Sequence, residues 1–508
     1  MAFQTNGMET ADDRPLIRSR GLWLLMLASL AISLPLAYLL NIRFDEAFTL
    51  QTTSNGPVDA FAHAIGFGQQ APLYFVLVGL WRSIDPSIFF ARIFSVLWFP
   101  LFVWVAAEVS KRYLKDVNPL IVAAIILVHQ QVVWNALDIR LYSMMTLLAG
   151  LLLLLFYDGY LSEKAKARSR VLFTIVAVVS IYTQYYLGFQ LVGGAVALLV
   201  LGRWKTLSKY VLDMAVAGIC FIPMLVVLFG GQLSHVTAQS DVHLPITELI
   251  KQLYQPVVSL MMPFDLIGSD AVRPWLVRIV IGGVAILFAA KLFRERKSED
   301  AALAAVTAVV VAFSLAALYF VGFTLMQPRH LSALILPLTI IPIAALRVSN
   351  RKPLIYGWVA LIIALNGIFL FAQYRPLAKP GDFERVAKYL MANEQAGEPF
   401  LVFHADAVLP LRYYYQGKND LLALPQENGT DAWNPRNNIL KDEAQILTVI
   451  GAHPSASGRL WLVHDGWCAH GSIKFNCGTL ENVVDKYFVV ERTEKFYEPV
   501  TVRLLRRK

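Results

Sequence analysis

Residues 43–49, Arg43-Phe44-Asp45-Glu46-Ala47-Phe48-Thr49, follow the first long apolar run, and their reading decides how the rest of the chain is understood. Two adjacent carboxylates at the mouth of a membrane span lie where loss of water penalises charge. They therefore need solvent, partners or a chemical task. One reading places them in an outer-surface cavity, with Asp45 as a catalytic base. The other makes them headgroup-level acids that cap the following helix. The pair alone does not choose between the two.

The run before them, residues 21–40, is long enough to cross about 30 Å of hydrocarbon. Arg14, Arg18 and Arg20 precede it. A basic flank before an apolar stretch also resembles a signal peptide. The length of this run and the lack of a small-residue cleavage site read instead as an uncleaved anchor, with residues 1–20 a cytoplasmic tail. Ten further apolar runs follow, at about 91–109, 119–134, 141–157, 171–186, 187–201, 211–230, 275–290, 301–325, 331–346 and 354–372.

Composition agrees. Of 508 residues 57% are hydrophobic and 16% charged, and the mean hydropathy is +0.54, the profile of a polytopic membrane protein. The formal net charge is +9. The basic residues sit in short clusters between apolar runs, as in cytoplasmic loops beside anionic lipid. No basic patch is interleaved with aromatics, so nucleic acid is not an expected partner.

The clusters alternate. Lys111, Arg112 and Lys115 fall in one connector; Lys164, Lys166, Arg168 and Arg170 in another; Arg203, Lys205 and Lys209 in a third. Lys291, Arg294, Arg296 and Lys297, then Arg347, Arg351 and Lys352, continue the series, while the intervening connectors are nearly free of Lys. With 11 spans the positive-inside rule holds at every turn and puts the C-terminal tail outside. Residues 72–81 are apolar but too short to span, and counting them would invert every later loop. They are expected to form an interfacial or re-entrant helix within a first outer loop, about 41–90. A second outer loop, about 231–273, holds an amphipathic stretch over 245–262 that is also expected to lie in the interface.

From about residue 373 the composition changes. Residues 382–393 read as an amphipathic helix; 399–404, 459–464, 487–491 and 500–505 read as strands. The expected fold is thus a membrane all-α bundle of about 11 helices over 21–372, followed by a small α/β domain on the outer face over 373–508. Asn428-Gly429-Thr430 matches a glycosylation acceptor, a three-residue pattern of little weight. Cys220 lies in an apolar run and reads as a small buried hydrophobe. Cys468 and Cys477 are close enough in the tail for a disulfide in an oxidising compartment. With only His470 between them they make a poor metal site.

Four polar groups besides the acid pair fall at the outer ends of spans: Gln69-Gln70; Asp138-Ile139-Arg140-Leu141-Tyr142; Tyr182-Thr183-Gln184-Tyr185-Tyr186; and Gln327-Pro328-Arg329-His330. All lie on the Asp45 side of the membrane. Each has a plainer reading: the tyrosines suit any interfacial belt, and Arg329 could snorkel to headgroups. His129, inside an apolar span, reads as a packing histidine. Chemistry joins the groups. A carboxylate can take a proton from an incoming hydroxyl while arginines hold the phosphate of a membrane-embedded phosphate ester. Phosphate leaves as an anion, so cationic donors remove the need for a strong general acid.

At these residues the sequence resembles the bacterial polytopic glycosyltransferases of clan C (GT-C) related to dolichyl-phosphate-mannose protein mannosyltransferases. The matches run in family order: Asp45-Glu46, Ala71-Pro72-Leu73-Tyr74, Ala91-Arg92-Ile93-Phe94-Ser95, Arg140-Leu141-Tyr142, Tyr182-Thr183-Gln184-Tyr185-Tyr186, Arg329-His330-Leu331 and Leu411-Arg412-Tyr413-Tyr414-Tyr415. The resemblance implies inverting transfer of one sugar from a polyprenyl-phosphate donor to a glycan, lipid or protein acceptor on the outer face of the cytoplasmic (inner) membrane. It makes Asp45 the base and Glu46 its neighbour in the acidic motif. Arg140 and Arg329 become candidates for the lipid phosphate, with Gln70, Arg92, Tyr142, Tyr182, Gln184 and His330 as further substrate-binding candidates. Two positions depart from the pattern. Gln70-Ala71 stands where His or Lys followed by prolines is common, and Gln184 replaces the usual histidine. Both exchange a cation for a neutral amide. Some relatives use a divalent cation and others do not, and no dedicated ligand set stands out here, so metal use stays open. The competing reading is a lipid-linked sugar flippase or other transporter. That class favours midplane polar groups and repeated halves, neither of which is visible in this sequence.

Overall fold

The computed structural model describes residues 16–66, 70–232, 245–263, 272–295, 298–321, 326–428, 434–455, 457–470, 473–497 and 499–508. Eight helices among them are long and apolar enough to cross a membrane: Arg20–Leu39, Ile88–Tyr113, Tyr142–Leu161, Trp204–Gly230, Arg273–Arg294, Glu299–Phe320, Pro328–Ser349 and Lys352–Tyr374. A ninth candidate is the pair Leu120–Val128 and Gln130–Leu137, bent by 59°. The remaining two apolar runs form the shorter helices Ala167–Thr183 and Leu187–Val200. Among the described residues every apolar run is therefore helical over most of its length, and eight of these helices meet the length needed to span.

The bend has an identifiable cause. His129 caps the second half: its Nδ1 accepts the Gln131 N–H (3.2 Å), which leaves Nε2 to donate to the Leu260 carbonyl (2.9 Å). Neighbouring helices meet the backbone groups freed by the break, since the Gln130 N–H donates to Asn366 Oδ1 at 2.9 Å. The bend delivers residues 138–141 to the same end of the bundle as Asp45. Close helix contact needs a small residue at Gly193, where an added Cβ would lie 2.9 Å from Val306 Cα on the helix Glu299–Val321. Leu212, Ile219 and Val226 stay exposed along Trp204–Val227, as lipid-facing residues do, and so does Cys220. The expectation of a buried Cys220 is corrected: that helix has little protein packed over it.

Short elements fill the region between the first two spans: Phe44–Thr52, Pro57–Gly66 and Leu73–Arg82. The last has 10 residues and does not span. The amphipathic stretch of the second loop is the helix Ile246–Met261, whose Leu249, Leu253, Val258 and Leu260 are buried in the bundle core. It packs into the protein as well as presenting a polar side.

After Tyr374 the chain builds a five-stranded mixed sheet in the order β2-β1-β3-β7-β6, from β1 (Phe400–Phe403), β2 (Leu421–Ala423), β3 (Arg459–His464), β6 (Phe488–Lys495) and β7 (Thr501–Arg507). β4 (Ala469–His470) and β5 (Ile473–Lys474) form a separate ribbon. Both β1 neighbours are parallel to it, whereas β7 is antiparallel to β3 and β6. Alternation along the strands makes two cores. Phe400, Val402, Trp461 and Val463 pack with helix Phe383–Asn393, while Leu401, Phe403, Leu460 and Leu462 pack with helix Cys477–Tyr487. Cys468 and Cys477 are joined in a disulfide. Of the acceptor-like tripeptide only Asn428 is described, and its amide is used internally, donating to Asp406 Oδ1 at 2.8 Å.

Candidate active site

The helix Phe44–Thr52 begins with its two acids in the first turn, where the macrodipole favours negative charge. Its period sorts them onto different faces. Asp45 and Thr49 share one face, Glu46 and Leu50 a second, Phe44 and Gln51 a third.

The first face meets arginines. Asp45 Oδ2 accepts a charge-assisted hydrogen bond from Arg329 Nη1. One turn on, Arg140 Nη1 donates to Thr49 Oγ1 (3.1 Å) and its Nη2 to Gln70 Oε1 (3.2 Å). The Asp45 side chain is recessed within the protein yet 28% exposed, so a small molecule can reach it. Burial alone would raise its pKa. The guanidiniums of Arg329, Arg140 and Arg43 outweigh that effect and hold the carboxyl far below the usual carboxylate range. The Nε–H groups of Arg140 and Arg329 are buried and have no partner among the described residues. Two converging cations with unmet donors suit a bound anion. Arg329 lies over the Tyr142 ring (5.2 Å), and the His330 ring sits beside Tyr142 (5.8 Å) and Tyr186 (6.1 Å).

The second face is closed. Glu46 has no exposed surface. Its Oε1 accepts from Arg92 Nη2 (2.9 Å), Arg92 Nε (3.2 Å) and the Ile139 N–H (3.2 Å). Its Oε2 accepts from Lys379 Nζ (2.7 Å) and the Arg43 N–H (3.1 Å). Burial would raise its pKa, but Arg92 and then Lys379 lower it on balance and keep it ionised. Arg92, itself fully buried, also donates to the carbonyls of Ala37 and Leu40 (2.7 Å each) and so ties the end of the first span to the acid. The two acids thus have different surroundings. Asp45 faces the arginines, while Glu46 caps its helix and anchors it. Asp138, 1% exposed, pairs with Lys379 (3.3 Å), and its Oδ2 meets no donor among the described residues; burial raises its pKa.

The third face borders a cavity of about 410 Å³ between this helix and the C-terminal fold, with Phe44, Gln51, Asp406, Tyr413, Glu427 and Asn428 in its walls. Asp406 is positioned by Asn428 Nδ2 (2.8 Å), Asn438 Nδ2 (3.1 Å) and the His404 ring (3.4 Å). His404 Nδ1 lies 2.5 Å from Asp465 on its other side. Burial alone would lower its pKa, but Asp465 and then Asp406 raise it to about 10. His470, on β4, is close enough to feel the charges of both Asp406 and Asp45.

Asp45, Glu46, Gln70, Arg92, Arg140, Tyr142, Arg329 and His330 are therefore assembled around one helix. Tyr182 and Gln184 are not part of this assembly. The Tyr182 hydroxyl donates to the Cys220 carbonyl at 2.8 Å, and Gln184 ends its helix without a hydrogen bond to the other candidates among the described residues. Tyr186 takes their place at His330 because it begins the next helix, Leu187–Val200, as its N-cap. Lys379, Asn41, Tyr414 and the group His404, Asp406, Asp465 and His470 were missing from the candidate set. Lys379 is followed by Pro380-Gly381, a pattern that reads as a solvated turn, and no local signal marks it as buried.

No family model matches this sequence, and no curated protein matches it. Among solved structures, the chain is similar to ArnT from Cupriavidus metallidurans in the apo state, with a TM-score of 0.53 at 12% identity over 95% of this chain and 97% of that one. It is also similar to the Archaeoglobus fulgidus oligosaccharyltransferase tethered with an acceptor peptide, with a TM-score of 0.50 at 12% identity over 89% of this chain and 70% of that one.

Proposed function

We propose that this chain, which has the fold of the clan C membrane glycosyltransferases, transfers a single sugar from a polyprenyl-phosphate donor to a hydroxyl-bearing acceptor. Asp45 acts as the general base. The acceptor oxygen attacks the anomeric carbon from the face opposite the phosphate, and its proton passes to Asp45. The bond from the anomeric carbon to the phosphate oxygen breaks, and polyprenyl phosphate leaves as an anion with inversion at carbon. Arg329 and Arg140 hold that phosphate and stabilise the charge that develops on it, through paired donors suited to a phosphate. The outer face of the cytoplasmic membrane is the expected place of reaction, because an activated sugar can reach it through the bilayer. The residues present leave a divalent cation open: Asp45, Glu46 and Asp138 are the nearby carboxylates, and Glu46 and Asp138 are already paired with Lys379.

The observation that carries this reading is the recessed, reachable Asp45 carboxylate in contact with Arg329, two residues 284 positions apart in sequence. A flippase is expected to place its polar groups near the midplane, whereas this carboxylate and its arginines lie at the ends of apolar helices. The test is Asp45→Asn in the purified full chain, with a panel of polyprenyl-phosphate sugars and release of the lipid phosphate as readout. Transfer should be abolished while expression and thermal stability are kept. Activity at the wild-type level in the variant would reject the base assignment.

A further inference from the structure

We propose that Lys379 is a positioning residue, through which the segment leading into the C-terminal fold sets the location of the Asp45 carboxylate. The inference rests on the assignment of Asp45 as the base and adds a residue that touches no substrate.

Lys379 is 1% exposed, although it follows the last span by only a few residues. An ammonium has three donors, and here all three are used. Nζ donates to Glu46 Oε2 (2.7 Å), the Leu137 carbonyl (2.7 Å) and Asp138 Oδ1 (3.3 Å). Its backbone N–H donates to Asn41 Oδ1 (2.7 Å), just ahead of the acidic helix. One residue therefore joins four segments: the end of the first span, the acidic helix, the end of the bent span and the start of the C-terminal fold. A second contact comes from the same side, because the Tyr414 hydroxyl accepts the Ile42 N–H at 2.8 Å.

Charge explains why this contact must be a cation. In this closed region Glu46 is held ionised and shares Lys379 with Asp138, whose carboxyl is pushed up by burial and drawn back toward its charged form by the ammonium. Among the described residues Lys379 is the ion-pair partner of Asp138 within 4 Å. Removing the ammonium leaves buried carboxylates in excess. They can regain balance by taking up a proton or by drawing in water, and either moves the helix end. Asp45 is the residue before Glu46 on the same turn, so a shift of the Glu46 anchor displaces the base. A displacement of about 1 Å at a reacting group can lower a rate by about 100-fold. Among the described residues Lys379 makes no hydrogen bond to Arg329 or Arg140, which bond instead to Asp45 and to Thr49 and Gln70, so lipid-phosphate affinity is expected to fall less than turnover.

The experiment compares wild type, Lys379→Met and Lys379→Arg as purified full chains in nanodiscs. Binding of polyprenyl phosphate and steady-state sugar transfer are measured for each. For Lys379→Met, kcat should fall about 100-fold with lipid-phosphate affinity within about twofold of wild type, a split that general loss of structure would not produce. Lys379→Arg keeps the charge but cannot direct three convergent donors into the same volume, so it should recover part of kcat. Wild-type kcat in Lys379→Met overturns the proposal, and so do parallel losses of binding and turnover. Should Lys379→Met fail to fold, Lys379→Arg decides: lowered kcat with retained binding supports positioning, and unchanged kcat overturns it. A base assigned wrongly would show instead as full activity in Asp45→Asn, independently of either Lys379 variant.

Discussion

Replacing Arg329 with alanine tests the proposed chemistry most directly, because the guanidinium has two consequences that separate in a pH profile. It is 14% exposed, bonds Asp45 through Nη1 and has an unpartnered Nε–H. If it also holds the leaving phosphate, its loss removes a donor aimed at charge that grows in the transition state. Losses of that kind cost about 10²–10³ in kcat. Arg140 remains, anchored to Thr49 and Gln70, so the lower end, about 100-fold, is expected. The second consequence has the opposite sign. Arg329 is the largest of the charges that depress the Asp45 pKa, and without it the carboxyl becomes a stronger base that titrates at higher pH. Wild-type kcat/KM should therefore stay level as pH falls through the ordinary carboxylate range, while Arg329→Ala acquires an acid limb within it. Arg329→Lys should restore the depressed limb but only part of kcat, since an ammonium is a point charge without the planar fork. The assay is release of lipid phosphate by the purified chain from pH 3 to 8 on a donor that supports transfer, with pH-jump controls for stability. Unchanged kcat, donor KM and acid limb in Arg329→Ala would refute the reasoning and leave this arginine a packing partner of Asp45 and Tyr142.

Two further outcomes follow from the buried groups. Glu46→Gln leaves Arg92 and Lys379 facing a neutral amide. Breaking a buried pair by removing one partner costs about 3–5 kcal/mol, so a marked fall in thermal unfolding temperature and in yield should accompany any loss of activity. Stability like that of wild type would remove the anchoring role. His404 has its pKa raised to about 10 because Asp465 and Asp406 outweigh burial. Its folded-state pKa lies above the unfolded value, so its contribution is complete below about 6.5 and is lost as pH rises through about 10. Hydrogen-exchange protection of β1 and β3 should decline across that window in wild type. The decline should be smaller in His404→Asn, and an equal decline in both would exclude this histidine as its source.

What the sequence determined by itself was everything that depends on local pattern. Apolar runs long enough to span, basic clusters in alternate connectors and short apolar strand runs such as 459–464 are properties of neighbouring residues, and burial of apolar surface follows from them directly. The suspicion attached to Asp45, Arg140 and Arg329 was local too, since each is an ionisable residue at the end of an apolar run. The structure decided what depends on which distant segments meet. Asp45 and Glu46 are neighbours with the same chemistry, but a helical turn of about 100° per residue sends one toward Arg329 and the other into a closed ion network. Lys379 looks like a solvated turn residue until the bend at His129 brings Leu137 and Asp138 to it. Tyr186, not Tyr182, approaches His330, because the helix Ala167–Thr183 ends where it does. A buried charge is tolerated only when partners are placed around it within a few ångströms. Those partners come from segments separated by tens to hundreds of residues, so only the folded chain could identify them.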